Sequence, residues 1–157
     1  MRQMLIEHTP DQSDVVSFRI GDQDYCIDID VVREIRGWSP TTVLPHSPPH
    51  ITGVINLRGT VVAVVDLAAR LGLPQTVPTP RHVVIIVSVN SQTVGLLADV
   101  VSDILGIDEG SVKPVPDVGP DPTRAFITNL ITHDDGRILR KLDMDKILPR
   151  SAGGQPS

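Results

Sequence analysis

The chain carries one pattern twice. Shifted by 69 positions, VVSFRIGDQDYCIDIDVVREI, from Val15, lies on VIIVSVNSQTVGLLADVVSDI, from Val84. Val15 falls on Val84, Phe18 on Val87 and Ile20 on Val89, and the turn pair Gly21-Asp22 falls on Asn90-Ser91. Asp30-Val31-Val32 falls on Asp99-Val100-Val101, and Ile35 on Ile104. At an offset of 76, Ile51-Thr52 then falls on Ile127-Thr128. One extra loop residue makes the offset 77, so that Gly59 meets Gly136, Asp66 meets Asp143 and Leu71 meets Leu148. Such repetition means two similar small units. A unit of roughly 60–70 residues is marginal as an independent core, so the halves are expected to share an apolar interface. The expected units are residues 14–72 and 81–149, within one domain spanning 14–149.

Within each copy the patterning predicts strand, turn and strand: Val15 to Ile20 and Tyr25 to Ile29, then His82 to Val89 and Thr93 to Ala98. Asp28 to Gly37 carries helix signals, with Asp28 and Asp30 at the start, Arg33 and Arg36 near the end and Gly37 just after. Its apolar stripe is Val31, Val32 and Ile35, which leaves Glu34 at the border and exposed. Asp99 to Leu105 mixes helical and strand spacing. Thr41 to Leu44 fits a short edge strand inside a segment punctuated by Pro40, Pro45, Pro48 and Pro49. LPQTVPTP, Leu73 to Pro80, reads as a linker. Gly110 to Pro122 reads as a long loop. Ala125 to Thr132 and Arg137 to Leu142 form a second hairpin around Asp134-Asp135-Gly136. Asp66 and Asp143 occupy equivalent positions ahead of short helices, Leu67 to Leu71 and Asp143 to Leu148, where capping explains them better than a catalytic carboxylate pair.

The stretch Ile51 to Leu71 holds two apolar runs, VINL and VVAVVDL, and reads as a hairpin. Its only charges are Arg58, Asp66 and Arg70. Val61 to Val65 does not alternate, so both of its faces are expected to be buried. Arg58 then sits at the tip of two arms committed to the core. From the residues alone it serves either as a contact residue or, more commonly, as a solvated turn charge. The second copy departs here: Asp135 replaces Arg58, Asn129 replaces Gly53, and Arg140-Lys141 replaces Ala63-Val64. The first hairpin is therefore specialised, and the second more polar and less buried.

Composition narrows the function. A net charge of −5 argues against a nucleic-acid partner, which needs a basic face. Aromatic residues make up 3%, so the core must be aliphatic. Cys26 stands alone and reads as a small buried apolar residue. No apolar run approaches the ~18 residues of a membrane span, which points to a cytoplasmic protein. The termini, 1–13 and 150–157, are expected to be flexible. His46 and His50 have ligand spacing, but Pro48 and Pro49 forbid the helix it needs, and no metal site is expected. No phosphate-binding loop, nucleophile elbow or cofactor motif occurs. A binding module without catalysis or cofactor is the expectation. Its candidate surfaces are the Arg58 tip, Asn56, Glu34, open sheet edges and Trp38, the last either a contact residue or half-buried over the helix.

The run GVINLRGTVVAVVDLAARLGL, preceded by a Pro-rich loop and by YCIDIDVVREI, resembles the CheW family of chemotaxis adaptor proteins, from about Val15 to Leu148. The NLRG run, Asn56 to Gly59, is its most specific part. The resemblance implies an all-β fold with short helices, two intertwined SH3-like five-stranded β-barrels sharing an apolar core. It implies a scaffold that bridges the cytoplasmic tip of methyl-accepting chemoreceptors to the regulatory domain of a CheA-type histidine kinase. The second reading is an adaptor for a chemosensory-type kinase with another output, such as surface motility. Carried over by motif, Arg58, Asn56, Gly53 and Glu34 match positions linked to receptor and array contacts, and Val32 is a further candidate. Cys26, Asn129 and Arg140-Lys141 depart from the family pattern.

Overall fold

The computed structural model describes residues 13–149, so the expectation of flexible termini falls on residues outside it, apart from the backbone of Ser13. Strands β1 (Ser13–Ile20) and β2 (Gln23–Asp28) open the chain. A single 3-10 turn, Ile29–Val31, leads into β3 (Val32–Gly37). The hairpin β4 (Ile51–Leu57) and β5 (Thr60–Asp66) follows, then the one-turn helix α1 (Leu67–Arg70). The second copy repeats this order with β6 (Val83–Val89), β7 (Gln92–Ala98), β8 (Val100–Ile107) and the two-residue β9 (Val112–Lys113). It closes with β10 (Ile127–Thr132), β11 (Ile138–Leu142) and α2 (Met144–Ile147).

The two copies are intertwined rather than side by side. One sheet has the order β8-β1-β2-β11-β10-β9, the other β3-β6-β7-β5-β4. Each sheet takes the first hairpin of one copy and the later strands of the other. The pairings obey the repeat: β3 runs antiparallel to β6 as β8 does to β1, and β5 runs parallel to β7 as β11 does to β2. One sheet thus has six strands where five were expected, because β9 pairs with β10 through Leu130↔Lys113 and Ile131↔Val112. In the first copy the equivalent segment offers only the isolated bridge Thr42↔Val54, which is all that forms of the edge strand expected at Thr41 to Leu44.

A shared cluster between the sheets takes Phe18, Tyr25 and Ile27 from the first hairpin and Ile85, Val87 and Leu96 from its counterpart. Behind the five-stranded sheet lies a second cluster of Val64, Val84, Ile86 and Leu97. Behind the six-stranded sheet lies a third, of Val15, Cys26, Ile131 and Leu139. A strand with apolar material on both faces cannot alternate, which is why Tyr25-Cys26-Ile27 is buried throughout. Cys26 is the small buried residue expected of it, and burial pushes its thiol up to about 12.

Three expectations need correction. Asp28 to Gly37 is not a helix: its β-branched residues extend into β3, which finds a ladder partner in β6 through Ile35↔Ile85 and Gly37↔Val83. A short stripe of Val and Ile suits a pleated, packed surface as well as a helix face, and the available partner strand decides. Glu34 is not exposed; it is 9% accessible. Val61 is 71% exposed, so burial on both faces of β5 begins only at Val62. The ambiguous stretch after Asp99 is β8. Both carboxylates judged to be caps are caps: Asp66 accepts from Ala68 N at 3.1 Å and Asp143 from Asp145 N at 3.1 Å.

Candidate functional site: the seam at the Arg58 turn

The five-stranded sheet curls until its outer strands, β3 and β4, approach each other. Between them runs a groove of about 630 Å³ with Glu34 to Ser39 on one wall and Asn56 to Arg58 on the other. The turn at its end is built by local sequence. Leu57 pairs with Thr60, leaving a two-residue loop of Arg58 and Gly59 with φ of 51° and 87°. Two successive positive φ values define the tight hairpin turn whose twist matches the strands it joins. Glycine enters that region freely and arginine does not, so Arg58 carries backbone strain. Asn56 offsets it, its Oδ1 accepting from Gly59 N at 2.7 Å. In the NLRG run, then, Asn holds the turn, Leu packs, Arg projects and Gly permits the conformation.

Arg58 reaches across the seam to β3. Its Nη1 stands 2.6 Å from Glu34 Oε2, with the Arg58 side chain 66% exposed and that of Glu34 11%. Burying a carboxylate costs energy unless a cation or donor meets it, and Arg58 is that cation. The bond holds the guanidinium still more firmly protonated than usual. Because one side of Arg58 faces Glu34 and most of the group faces water, it remains open to a second acceptor. The bare groove combines this cation and Arg36 with the apolar surfaces of Trp38 and Leu57.

Arg58, Asn56 and Glu34 therefore converge on one groove. Gly53 and Val32 do not line it. Gly53 is buried under the Thr41-Thr42 segment, where a Cβ would stand 2.5 Å from Thr41 Oγ1 and 2.6 Å from the Thr42 carbonyl oxygen. Its effect on the site is indirect, through the path of β4. Val32 is 7% exposed and belongs to the shared cluster. Arg36 and Leu57 are groove residues that sequence reasoning did not select. A charge two positions from Glu34 on a strand would have signalled Arg36, had β3 been read as a strand. Trp38 lies over the cluster of Val64 and Val84 rather than over a helix.

Among the described residues no group of three or more His, Cys, Asp or Glu side chains is placed to hold a metal ion, and no helix is long and apolar enough to cross a membrane. Two curled, interlocked sheets presenting a charged seam define an all-β scaffold module. The chain belongs to the CheW family: the model described as a CheW-like domain matches residues 14–152. It is 45% identical to chemotaxis protein CheW of Rhizobium meliloti over 136 residues, 87% of either chain. To probable chemotaxis protein CheW of Rhizobium etli it is 49% identical over 121 residues, 77% of this chain and 78% of that one. To protein FrzA of Myxococcus xanthus it is 30% identical over 115 residues, 73% of this chain and 71% of that one. The crystal structure of scaffolding protein TtCheW from Thermoanaerobacter tengcongensis superposes with a TM-score of 0.76 at 32% identity, covering 84% of this chain and 89% of that one.

Proposed function

We propose that this chemotaxis scaffold couples the cytoplasmic tip of chemoreceptors to the regulatory domain of a CheA-type histidine kinase, at the inner face of the membrane. The mechanism is geometric and involves no catalytic step. A double sheet with a shared core moves as one body, so a partner held at one surface is fixed relative to a partner held at another. Arg58 is the contact residue at the seam, with Asn56 and Glu34 fixing its position and Gly53 and Val32 supporting the strands beneath. The observation that carries this reading is the Arg58 turn itself: a strained, exposed arginine braced by Asn56 and anchored to buried Glu34. Strain held at one exposed residue by its surroundings is a feature of contact sites.

Chemotaxis is favoured over another behavioural output because the similarity to chemotaxis proteins is both higher and longer than that to FrzA. In a strain lacking the protein, Arg58→Ala is expected to be folded and abundant yet to fail to restore receptor control of kinase activity. Full restoration would remove Arg58 from the contact surface. Co-purification with a co-encoded kinase and receptor tests the partners directly, and loss of receptor alone separates the two surfaces.

A further inference from the structure

A second cleft, away from the Arg58 seam, lies between the β1–β2 turn and the chain that follows α1. It measures about 460 Å³, and its walls include Ile20, Ala68, Leu73, Pro74 and Val77. Val77 is 82% exposed, an aliphatic side chain on open display in a linker. The polar rim comprises Asp22, Gln23, Thr76, His82 and Asp99. His82 is oriented by its neighbours: Thr79 N donates to Nδ1 at 3.0 Å, which leaves Nε2 to face Asp99 Oδ1 at 3.5 Å. The other oxygen, Asp99 Oδ2, accepts from Gly21 N at 2.8 Å and so ties the turn to the rim. Two carboxylates, Asp22 and Asp99, thus stand at the mouth of an apolar cleft, the second engaged by His82 and by Gly21 N.

The repeat supplies the independent observation. The counterpart of Gln23, at the offset of 69, is Gln92. Gln92 Nε2 donates to the carbonyl oxygen of Pro149 at 2.8 Å, so Pro149, just past α2, lies against the β6–β7 turn. After α1 the chain takes another course. Thr76 N and Thr76 Oγ1 both donate to Asp66, at 2.7 Å each, and this folds the linker back. Asp143, the counterpart of Asp66, caps its helix alone. In the first copy the same glutamine is exposed at the cleft, and its side chain makes no hydrogen bond among the described residues.

We propose that this cleft binds an extended, basic and aliphatic peptide segment of a partner protein. Gln23 takes a backbone carbonyl as Gln92 does, the aliphatic walls take one or two side chains, and Asp22 with Asp99 meets a Lys or Arg. Alternate side chains of an extended segment in pockets, with backbone hydrogen bonds along one edge, is an established mode of peptide capture, and the acidic rim selects for cationic residues. The hexapeptide Lys-Ile-Leu-Pro-Arg-Ser, the sequence of positions 146–151, has this chemistry and serves as the probe.

The test is titration of the ¹⁵N-labelled full chain with the acetylated and amidated hexapeptide KILPRS, up to about 2 mM, a range that captures affinities near 1 mM. Amide shifts are expected at Gly21, Gln23, Thr76 and Val77. Asp22→Lys and Gln23→Ala, both on an exposed turn, should each raise Kd by about fivefold or more. Arg58→Ala should leave Kd unchanged, which separates this site from the seam. No shifts at the highest concentration would overturn the proposal. So would shifts centred on the seam or on Gln92, or equal binding of the hexapeptide with Lys and Arg replaced by Glu.

Discussion

The β4–β5 and β10–β11 hairpins follow one pattern, yet they close their seams differently. In the first, a two-residue turn places Arg58 in a left-handed conformation and sends it across to Glu34 on β3. In the second, an extra residue relaxes the loop: Gly136, with φ of 92°, takes the left-handed position, and Gly136 N donates to His133 O at 2.9 Å. The ion pair survives in altered form. Asp103, the counterpart of Glu34, meets Arg137 at 3.3 Å, and Arg137 also bonds Asp135 at 2.7 Å. Arg137 divides its guanidinium between two carboxylates and is 27% exposed, whereas Arg58 bonds a single buried carboxylate and is 66% exposed. The extra strand β9 further covers β10, where β4 has only the Thr42 bridge. The first seam is the open one, and the repeat shows that openness is not inherent in the architecture.

The clusters behind the sheets differ in the same sense. Where the first hairpin buries Val64, the second places Lys141 beside Asp28 at 3.1 Å. Where β6 has Ile86, β1 has Ser17, 0% exposed and with no hydrogen-bond partner for its hydroxyl among the described residues. Arg140, in the place of Ala63, lies 5.8 Å from the centre of the Tyr25 ring. The Arg140-Lys141 pair is thus absorbed by the fold, with aromatic and acidic partners of its own.

Exchanging residues between the copies breaks this comparison most severely at the core. Val64→Lys puts an unpaired charge where Val64 is wholly buried and is expected to cost about 3–5 kcal/mol. The reciprocal Lys141→Val leaves Asp28 free to hydrate and should stay within about 1 kcal/mol. Urea denaturation of both variants checks the asymmetry, and equal losses would refute it. Next in size is Gly53→Ala, whose new methyl group would press on the Thr41 side chain and the Thr42 carbonyl. The expected loss is about 1–3 kcal/mol, against about 0.5 kcal/mol or less for Asn129→Ala, by the same measurement.

The smallest effect sharpens the comparison of turns. Asp135 has its carboxyl lowered to about 2, first by the backbone N–H of Arg137 and then by the His133 and Arg137 side chains, against some desolvation. A depressed folded value means that its stabilisation is fully present above the unfolded value of ~3.9 and fades as pH falls towards about 2. The contribution of Asp135 to the second turn should therefore be lost only below about pH 4. A carbon-13 NMR titration of the Asp135 carboxyl checks the midpoint. A midpoint near 4 would show that the loop does not grip this side chain.

Much of the candidate site was legible before any coordinates. The repeat singled out Arg58 and Gly53 as departures between copies, and the NLRG pattern connected Arg58 with Asn56. Glu34 was named but misplaced, since a reading of Asp28 to Gly37 as a helix puts it on a solvated border. Its burial depends on β6 and on an arginine 24 positions later, from Glu34 to Arg58, and no local spacing records either. Arg36 was missed for the same reason. The caps Asp66 and Asp143 were readable because capping is a contact within two residues.

By itself the sequence determined the repeat, the strand and turn order within each copy, the aliphatic core and the identity of the turn residues. These follow from side-chain period, from glycine and proline stereochemistry and from contacts between near neighbours. Only the tertiary structure decided that the copies exchange strands, that β3 is a strand, and that one seam is open while the other is filled. Those outcomes rest on pairing between segments well separated in sequence, as in Ile35↔Ile85, where backbone hydrogen bonds and buried area outweigh local preference. The difference between the seams goes with that pairing: Val112 and Lys113 of β9 join β10 in one copy, and a single bridge joins Thr42 to Val54 in the other.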